Sequence, residues 1–142
     1  LLAKQETQKI PLIRTWMRLL QCQFIDRSNP RQSVSCLNEA ARALSQEGRS
    51  FILFPEGTRS RGDEMGPFKS GGFRIASKTG APIVPVAIDG SYRLMEGNGM
   101  WIRPAQVTVT ILPPVETKGL SREEVKALEE TVQERIAEAK GH

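Results

Sequence analysis

The sequence predicts an α/β domain with a mostly parallel central sheet flanked by helices. Three observations lead there. Helix-patterned and strand-patterned stretches alternate along all 142 residues, with no repeat, low-complexity tract or linker between them. The run Phe51-Ile52-Leu53-Phe54 is apolar at every position, as strands covered on both faces are. It leads straight into the polar turn Pro55-Glu56-Gly57-Thr58-Arg59-Ser60-Arg61, at a strand's carboxyl end, where open parallel sheets place their ligands.

Taken in order, Pro11 to Leu20 puts Leu12, Ile13, Trp16, Met17 and Leu20 on one helical face. Ten residues are few for an interfacial anchor, so this face is expected to pack into a core rather than lie on a membrane. Gln23 to Asp26 has the pattern of a short strand, and Ser28-Asn29-Pro30 that of a helix start, with a capping side chain and proline in the first turn. Val34, Leu37, Ala41 and Leu44 carry that helix to a stop at Gly48. Phe68 to Lys78 predicts a helix with Gly71 and Gly72 near its start, where the backbone admits a close neighbour. Ile83 to Ile88 and Val107 to Leu112 predict two more strands, the second alternating Val107, Val109 and Ile111 with threonines as a half-exposed edge strand does. Ser121-Arg122-Glu123-Glu124 is a capping-box pattern, and Val125, Leu128, Val132 and Ile136 stripe the helix that follows.

Composition bounds the rest. With 39% hydrophobic and 25% charged residues the chain is long enough to enclose one core, so residues 1–142 are expected to form a single domain. Lys and Arg number 20 against 16 Asp and Glu. Many of the acids fall after position 115, which leaves the earlier part more basic and favours an anionic partner. The five Phe, two Trp and one Tyr do not interleave with the cations as a base-stacking platform requires, so nucleic acid is not expected and phosphate in another carrier is. Cys22 and Cys36 lack metal-ligand spacing and are too few for a disulfide framework; small core residues in a reducing environment are expected, and no metal. The longest apolar run, Ala81 to Ile88, is broken by Pro82 and Pro85 and falls short of the roughly 20 residues needed to span a bilayer. Opening at Leu1 without Met or signal-peptide character, the chain is expected to lack an N-terminal part.

The turn after Phe54 holds the richest chemistry. Arg59 and Arg61 offer planar forks of donors to a phosphate, Thr58 adds a hydroxyl, and Gly57 lets the backbone come close. Glu56 would weaken anion binding and is expected instead to accept a hydrogen bond from a substrate hydroxyl or to orient one of the arginines. Asp26-Arg27 ends another predicted strand, so the same sheet edge can bring Arg27 beside Arg59, though on these two residues alone a simple Asp26/Arg27 surface pair is the better account.

Phe54-Pro55-Glu56-Gly57-Thr58-Arg59-Ser60 resembles the signature block of the 1-acylglycerol-3-phosphate acyltransferase family of glycerolipid acyltransferases. Its neighbours stand in the family's order. Phe24-Ile25-Asp26-Arg27 is similar to the upstream block whose arginine meets the substrate phosphate, Phe68-Lys69-Ser70-Gly71 to the segment after the signature, and Ile83-Val84-Pro85-Val86 to a hydrophobic block bearing a proline. Leu2-Ala3-Lys4 followed by Ile10-Pro11-Leu12 is similar to the approach to the upstream block. The resemblance implies a glycerol-3-phosphate acyltransferase-like fold, of which this chain is the C-terminal portion of a catalytic domain. It also implies acyl transfer, with acyl-CoA or acyl-carrier protein as co-substrate and no cofactor, to the hydroxyl of lysophosphatidate. Membrane association on the cytoplasmic face follows from such an acceptor. Arg27, Glu56, Gly57, Thr58 and Arg59 are then the substrate-binding residues, with Lys4, Arg61, Lys69 and Pro85 as further candidates.

A His and an Asp four residues apart form the family's catalytic block, the His as base and the Asp holding its tautomer. The single histidine here is His142, the last residue, with no Asp after it. The catalytic pair is therefore expected upstream of Leu1, this chain alone being inactive. Two other readings stay open: an acyltransferase for another lysolipid or for glycerol 3-phosphate, and a non-catalytic module that binds anionic lipid.

Overall fold

The computed structural model describes residues 2–4, 11–20, 22–25, 30–48 and 50–141, in two compact units, Leu1–Phe54 and Pro55–His142. In the first unit β1 (Leu2–Lys4) pairs in parallel with β2 (Gln23–Ile25), Leu2 opposite Gln23 and Lys4 opposite Ile25. Parallel neighbours need a crossover, and α1 (Pro11–Leu19) lies between the two strands in sequence. α2 (Pro30–Glu47) opens on the expected proline, whose missing N–H is no loss in a first turn. Cys36, Ala40 and Ala41 form the buried side of α2, and Cys22 is buried before β2. Burial, and then the nearby Glu39 carboxylate, push the Cys36 thiol up, which suits a packing residue and not a nucleophile.

Two expectations for this unit are corrected. Trp16, Leu19 and Leu20 on and just after α1 are exposed and Met17 is half-buried, so the apolar face of α1 is at least partly open where a core contact is expected. Phe51 to Phe54 belongs to neither ladder, and Ile52 and Phe54 are exposed. An apolar run states a need for burial, but a strand also needs a partner's N–H and C=O groups, and neither pair of strands supplies them here.

The second unit runs α3 (Gly71–Thr79), β3 (Val86–Asp89), two 3₁₀ turns (Ser91–Leu94 and Glu96–Asn98), β4 (Thr108–Ile111) and α4 (Arg122–Lys140). Phe68, Phe73, Ala87, Leu128, Val132 and Ile136 make its core. The three core residues of α4 recur every fourth position, as the predicted stripe requires. The capping box is formed: the Ser121 hydroxyl accepts the Glu124 N–H at 3.3 Å and the Glu124 carboxylate accepts the Ser121 N–H at 2.7 Å. Those bonds, the backbone one foremost, hold Glu124 below the usual carboxylate range.

β3 and β4 are antiparallel, Val86 opposite Ile111 and Ile88 opposite Val109. Among the described residues the strands form two separate two-stranded sheets, the parallel pair β1–β2 and the antiparallel pair β3–β4. Ala87 faces the core, while Val86, Ile88, Val109 and Ile111 share the other face and are exposed. Pro82 and Pro85 shorten the predicted Ile83 strand, because neither can donate to a ladder; ahead of β3 only the isolated Ile83–Val115 bridge remains.

Thr117 is the most enclosed polar residue described, at 0% exposure, with its hydroxyl 2.8 Å from the Ala81 carbonyl and 3.0 Å from that of Ala76. Thr117→Val keeps the shape and removes the donor, so urea denaturation should show a loss of about 1–3 kcal/mol. Among the described residues no helix is long and apolar enough to cross a membrane.

Candidate functional site

The Pro55–Arg61 segment is a turn fastened from behind. Gly57 takes φ +66°, a left-handed conformation that glycine adopts without a Cβ penalty. The Pro55 carbonyl accepts the Lys69 N–H at 3.0 Å. The Glu56 carboxylate accepts the Gly66 N–H at 2.9 Å and lies 3.5 Å from the Ser60 hydroxyl. Gly66 permits that approach, since a Cβ there would stand 3.2 Å from Glu56 Oε2. Glu56 thus ties the turn together, and the tie leaves the following residues on the outer side.

Those residues line a hollow of about 360 Å³ formed by Thr58, Arg59, Arg61, Glu96, Gly99 and Met100. Arg59 is the better placed of the two cations. Its Nη1 meets Glu96 Oε1 at 3.3 Å, and its side chain is 70% exposed against 15% for Glu96. Such an exposed pair contributes little to stability, but it fixes where the guanidinium stands. Only one terminal nitrogen is engaged, so the rest of the fork stays available. Arg61 has no ion-pair partner among the described residues.

Glu96 is itself held by a tight double turn. The Met95 carbonyl accepts the N–H groups of Asn98 at 3.1 Å and Met100 at 3.0 Å, and the Asn98 side-chain amide donates to the Arg93 carbonyl. Met100, a non-glycine residue, has φ +73°. A left-handed methionine is costly, and the surrounding bonds hold it there.

Of the predicted site residues, Thr58, Arg59 and Arg61 come together in this hollow, with Glu56 and Gly57 in the turn that carries them. Lys69 is exposed and joins through its backbone; Pro85 is buried, its carbonyl accepting the Leu112 N–H at 2.9 Å. Lys4 closes β1 opposite Ile25, and Arg27 lies outside the described residues. The carboxylate that orients Arg59 is Glu96, 37 residues further on, and not Glu56. Sequence reasoning missed Glu96, although Glu96-Gly97-Asn98-Gly99 has the composition of a tight turn.

A larger hollow, about 680 Å³, lies elsewhere in the same unit, and Asp63, Glu64, Glu130 and Glu134 line it with Lys140 as the one cation. Four carboxylates repel a phosphate, so of the two hollows the smaller, arginine-lined one is the one whose lining suits an anion.

Comparison with known proteins identifies the family. The family model described as acyltransferase matches residues 1–89. A 1-acyl-sn-glycerol-3-phosphate acyltransferase of Cocos nucifera is 38% identical over 87% of this chain and 40% of its own length. One from Haemophilus influenzae is 32% identical over 81% of this chain and 49% of its own. The crystal structure of the 1-acyl-sn-glycerophosphate (LPA) acyltransferase PlsC from Thermotoga maritima superposes with a TM-score of 0.83 at 36% identity, covering 99% of this chain and 54% of that one. The α/β architecture is therefore that of PlsC, and this chain spans about half, or less, of the relatives it matches. With the signature turn and a family match over its first 89 residues, the chain belongs to the acyltransferase family.

Proposed function

We propose that the protein containing this chain transfers a fatty acyl group from acyl-CoA or acyl-carrier protein to the free hydroxyl of lysophosphatidate, forming phosphatidate. This chain supplies the grip on the acceptor's phosphate. The observation that carries the reading is the hollow in which Thr58, Arg59 and Arg61 converge on a turn whose carboxylate, Glu56, is tied away to Gly66. The names of the relatives support the acceptor class.

In the reaction, the acceptor oxygen attacks the thioester carbonyl carbon. A base takes the hydroxyl proton, the C–S bond breaks, and the proton passes to the departing thiolate. The role of this chain is positional. Arginines holding a dianionic phosphate fix the hydroxyl at a constant distance and keep the headgroup from turning, which lowers the entropic part of the barrier. Arg27, as the resemblance implies, would complete the grip. The base is proposed to come from a His/Asp pair outside this chain, since His142 is the sole histidine in it. Acyl transfer at the cytoplasmic membrane surface follows from where the acceptor resides.

The test joins this chain to the part of the Thermotoga maritima protein that it does not cover and follows acylation of lysophosphatidate. Arg59→Ala should raise KM for that acceptor about 10- to 100-fold, the range for losing a charge-assisted hydrogen bond, with a much smaller change in kcat. Arg59→Lys should recover only part, because an ammonium lacks the planar fork. An unchanged KM in Arg59→Ala would remove the site assignment.

A further inference from the structure

We propose that the loop from Leu94 to Arg103 is the part of this chain that enters the lipid surface, resting on the reading of the acceptor as a membrane lipid. Met100, Trp101 and Ile102 are consecutive and exposed, Trp101 at 77% and Ile102 at 82%, with Leu94 also exposed at the other arm. Three adjacent apolar side chains in water represent a large unsatisfied burial free energy.

Their exposure is built into the backbone and is no sign of a loose loop. The Trp101 N–H donates to the Asn98 carbonyl at 3.2 Å, and the Arg103 N–H to the Leu94 carbonyl at 2.9 Å. With the Met100 to Met95 bond, these close the loop at its base and hold the apolar side chains outward. The N–H groups of Met100, Trp101 and Arg103, already bonded internally, can approach hydrocarbon without being left unsatisfied. A tryptophan at such a tip suits the headgroup level of a bilayer, where one edge of the ring is wet and the rest apolar.

Charge and position select a lipid surface over another occupant. Arg93 is partnered by Asp63 at 3.7 Å, and Arg59 by Glu96. Arg61 and Arg103 are exposed with no ion-pair partner among the described residues, and provide attraction to anionic headgroups. Met100 belongs both to this loop and to the lining of the arginine hollow. A lipid whose phosphate sits in the hollow would therefore have its acyl chain leaving beside the residues that meet hydrocarbon. The other exposed apolar face of the second unit, Val86, Ile88, Val109 and Ile111 on β3 and β4, has no tryptophan, and nothing shows what covers it.

The test uses the 142-residue chain and vesicles of phosphatidylcholine containing phosphatidic acid. Trp16→Phe leaves Trp101 as the one tryptophan. Its emission should shift to the blue on adding vesicles and be quenched by lipids brominated on the acyl chain. Ile102→Asp should weaken partitioning about tenfold or more, the order expected for one side chain withheld from hydrocarbon, while the melting temperature stays unchanged because the residue is exposed. Equal partitioning of the Ile102→Asp chain, or an unquenched Trp101 beside a quenched Trp16 in the Trp101→Phe chain, overturns the proposal. So does an Ile102-dependent dimer in sedimentation with no vesicle binding. Titration with soluble glycerol 3-phosphate separates the two readings. Binding lost in Arg59→Ala, alongside failure on vesicles, sinks the loop and leaves the phosphate site standing; vesicle binding without glycerol 3-phosphate binding supports the loop and sinks the phosphate site.

Discussion

Phe73→Ala is expected to lower the unfolding free energy by about 3–5 kcal/mol, the range for removing a buried aromatic ring and leaving its cavity. Phe73 is 4% exposed and sits in the core with Leu128, Val132 and Ile136 of α4. Its ring lies 6.3 Å from that of Phe68, the planes 20° apart, so the second ring loses its neighbour as well. Phe68 is the residue just before Lys69, whose N–H holds the Pro55 carbonyl. Collapse of this cavity would therefore also move the turn that carries Arg59. Against a typical total of about 5–15 kcal/mol, this substitution should leave the second unit marginal or unfolded at body temperature. Phe73→Leu, which fills most of the volume, should cost less than half as much. Chemical denaturation followed by far-UV circular dichroism measures both; a midpoint unmoved in Phe73→Ala would mean that the core lies elsewhere.

Gly90→Ala should cost about 2–4 kcal/mol, through two causes that can be separated. Gly90 has φ +76°, which strains any residue with a Cβ. A Cβ there would also stand 2.5 Å from the Gln106 carbonyl oxygen, at the end of the β3–β4 pair, and backbone on both sides has little room to yield. Gly99 serves as the control. It has φ +61° with open space, nothing within 4 Å, where a Cβ would stand, so Gly99→Ala should show the conformational part alone, about 1–2 kcal/mol. Equal losses in the two variants would mean that the collision with Gln106 is relieved.

What the sequence reveals depends on whether the deciding partner is near in the chain. α4 is legible in full because its signals are local: a serine three residues before a glutamate, then an apolar residue on every fourth position. The turn from Pro55 to Arg61 is legible as a polar turn for the same reason, its proline, glycine and hydroxyl residues lying within a few positions of one another. The β4 strand is legible as a strand but not in its orientation, since alternation says that two faces differ and not which one meets a core. The small Ala87 on β3 faces inward and turns the larger Val109 and Ile111 outward. The Phe51 run misleads because pairing is non-local. Glu96 is invisible as a partner for Arg59 because nothing within a few residues of either one points to the other; two 3₁₀ turns folded on each other bring them to 3.3 Å.

The tie between Glu56 and the Gly66 N–H sets where the arginines of the following turn stand. Because the acid reaches back to residue 66 instead of forward to the arginines, the stretch between the two acts as a lever behind the pocket. An insertion or a stiffer residue from 62 to 65 would shift the arginine forks relative to Glu96 without altering any side chain that lines the hollow. If the turn grips the acceptor as proposed, such a change would alter which lipid this chain prefers while Glu56 to Arg61 themselves stay the same.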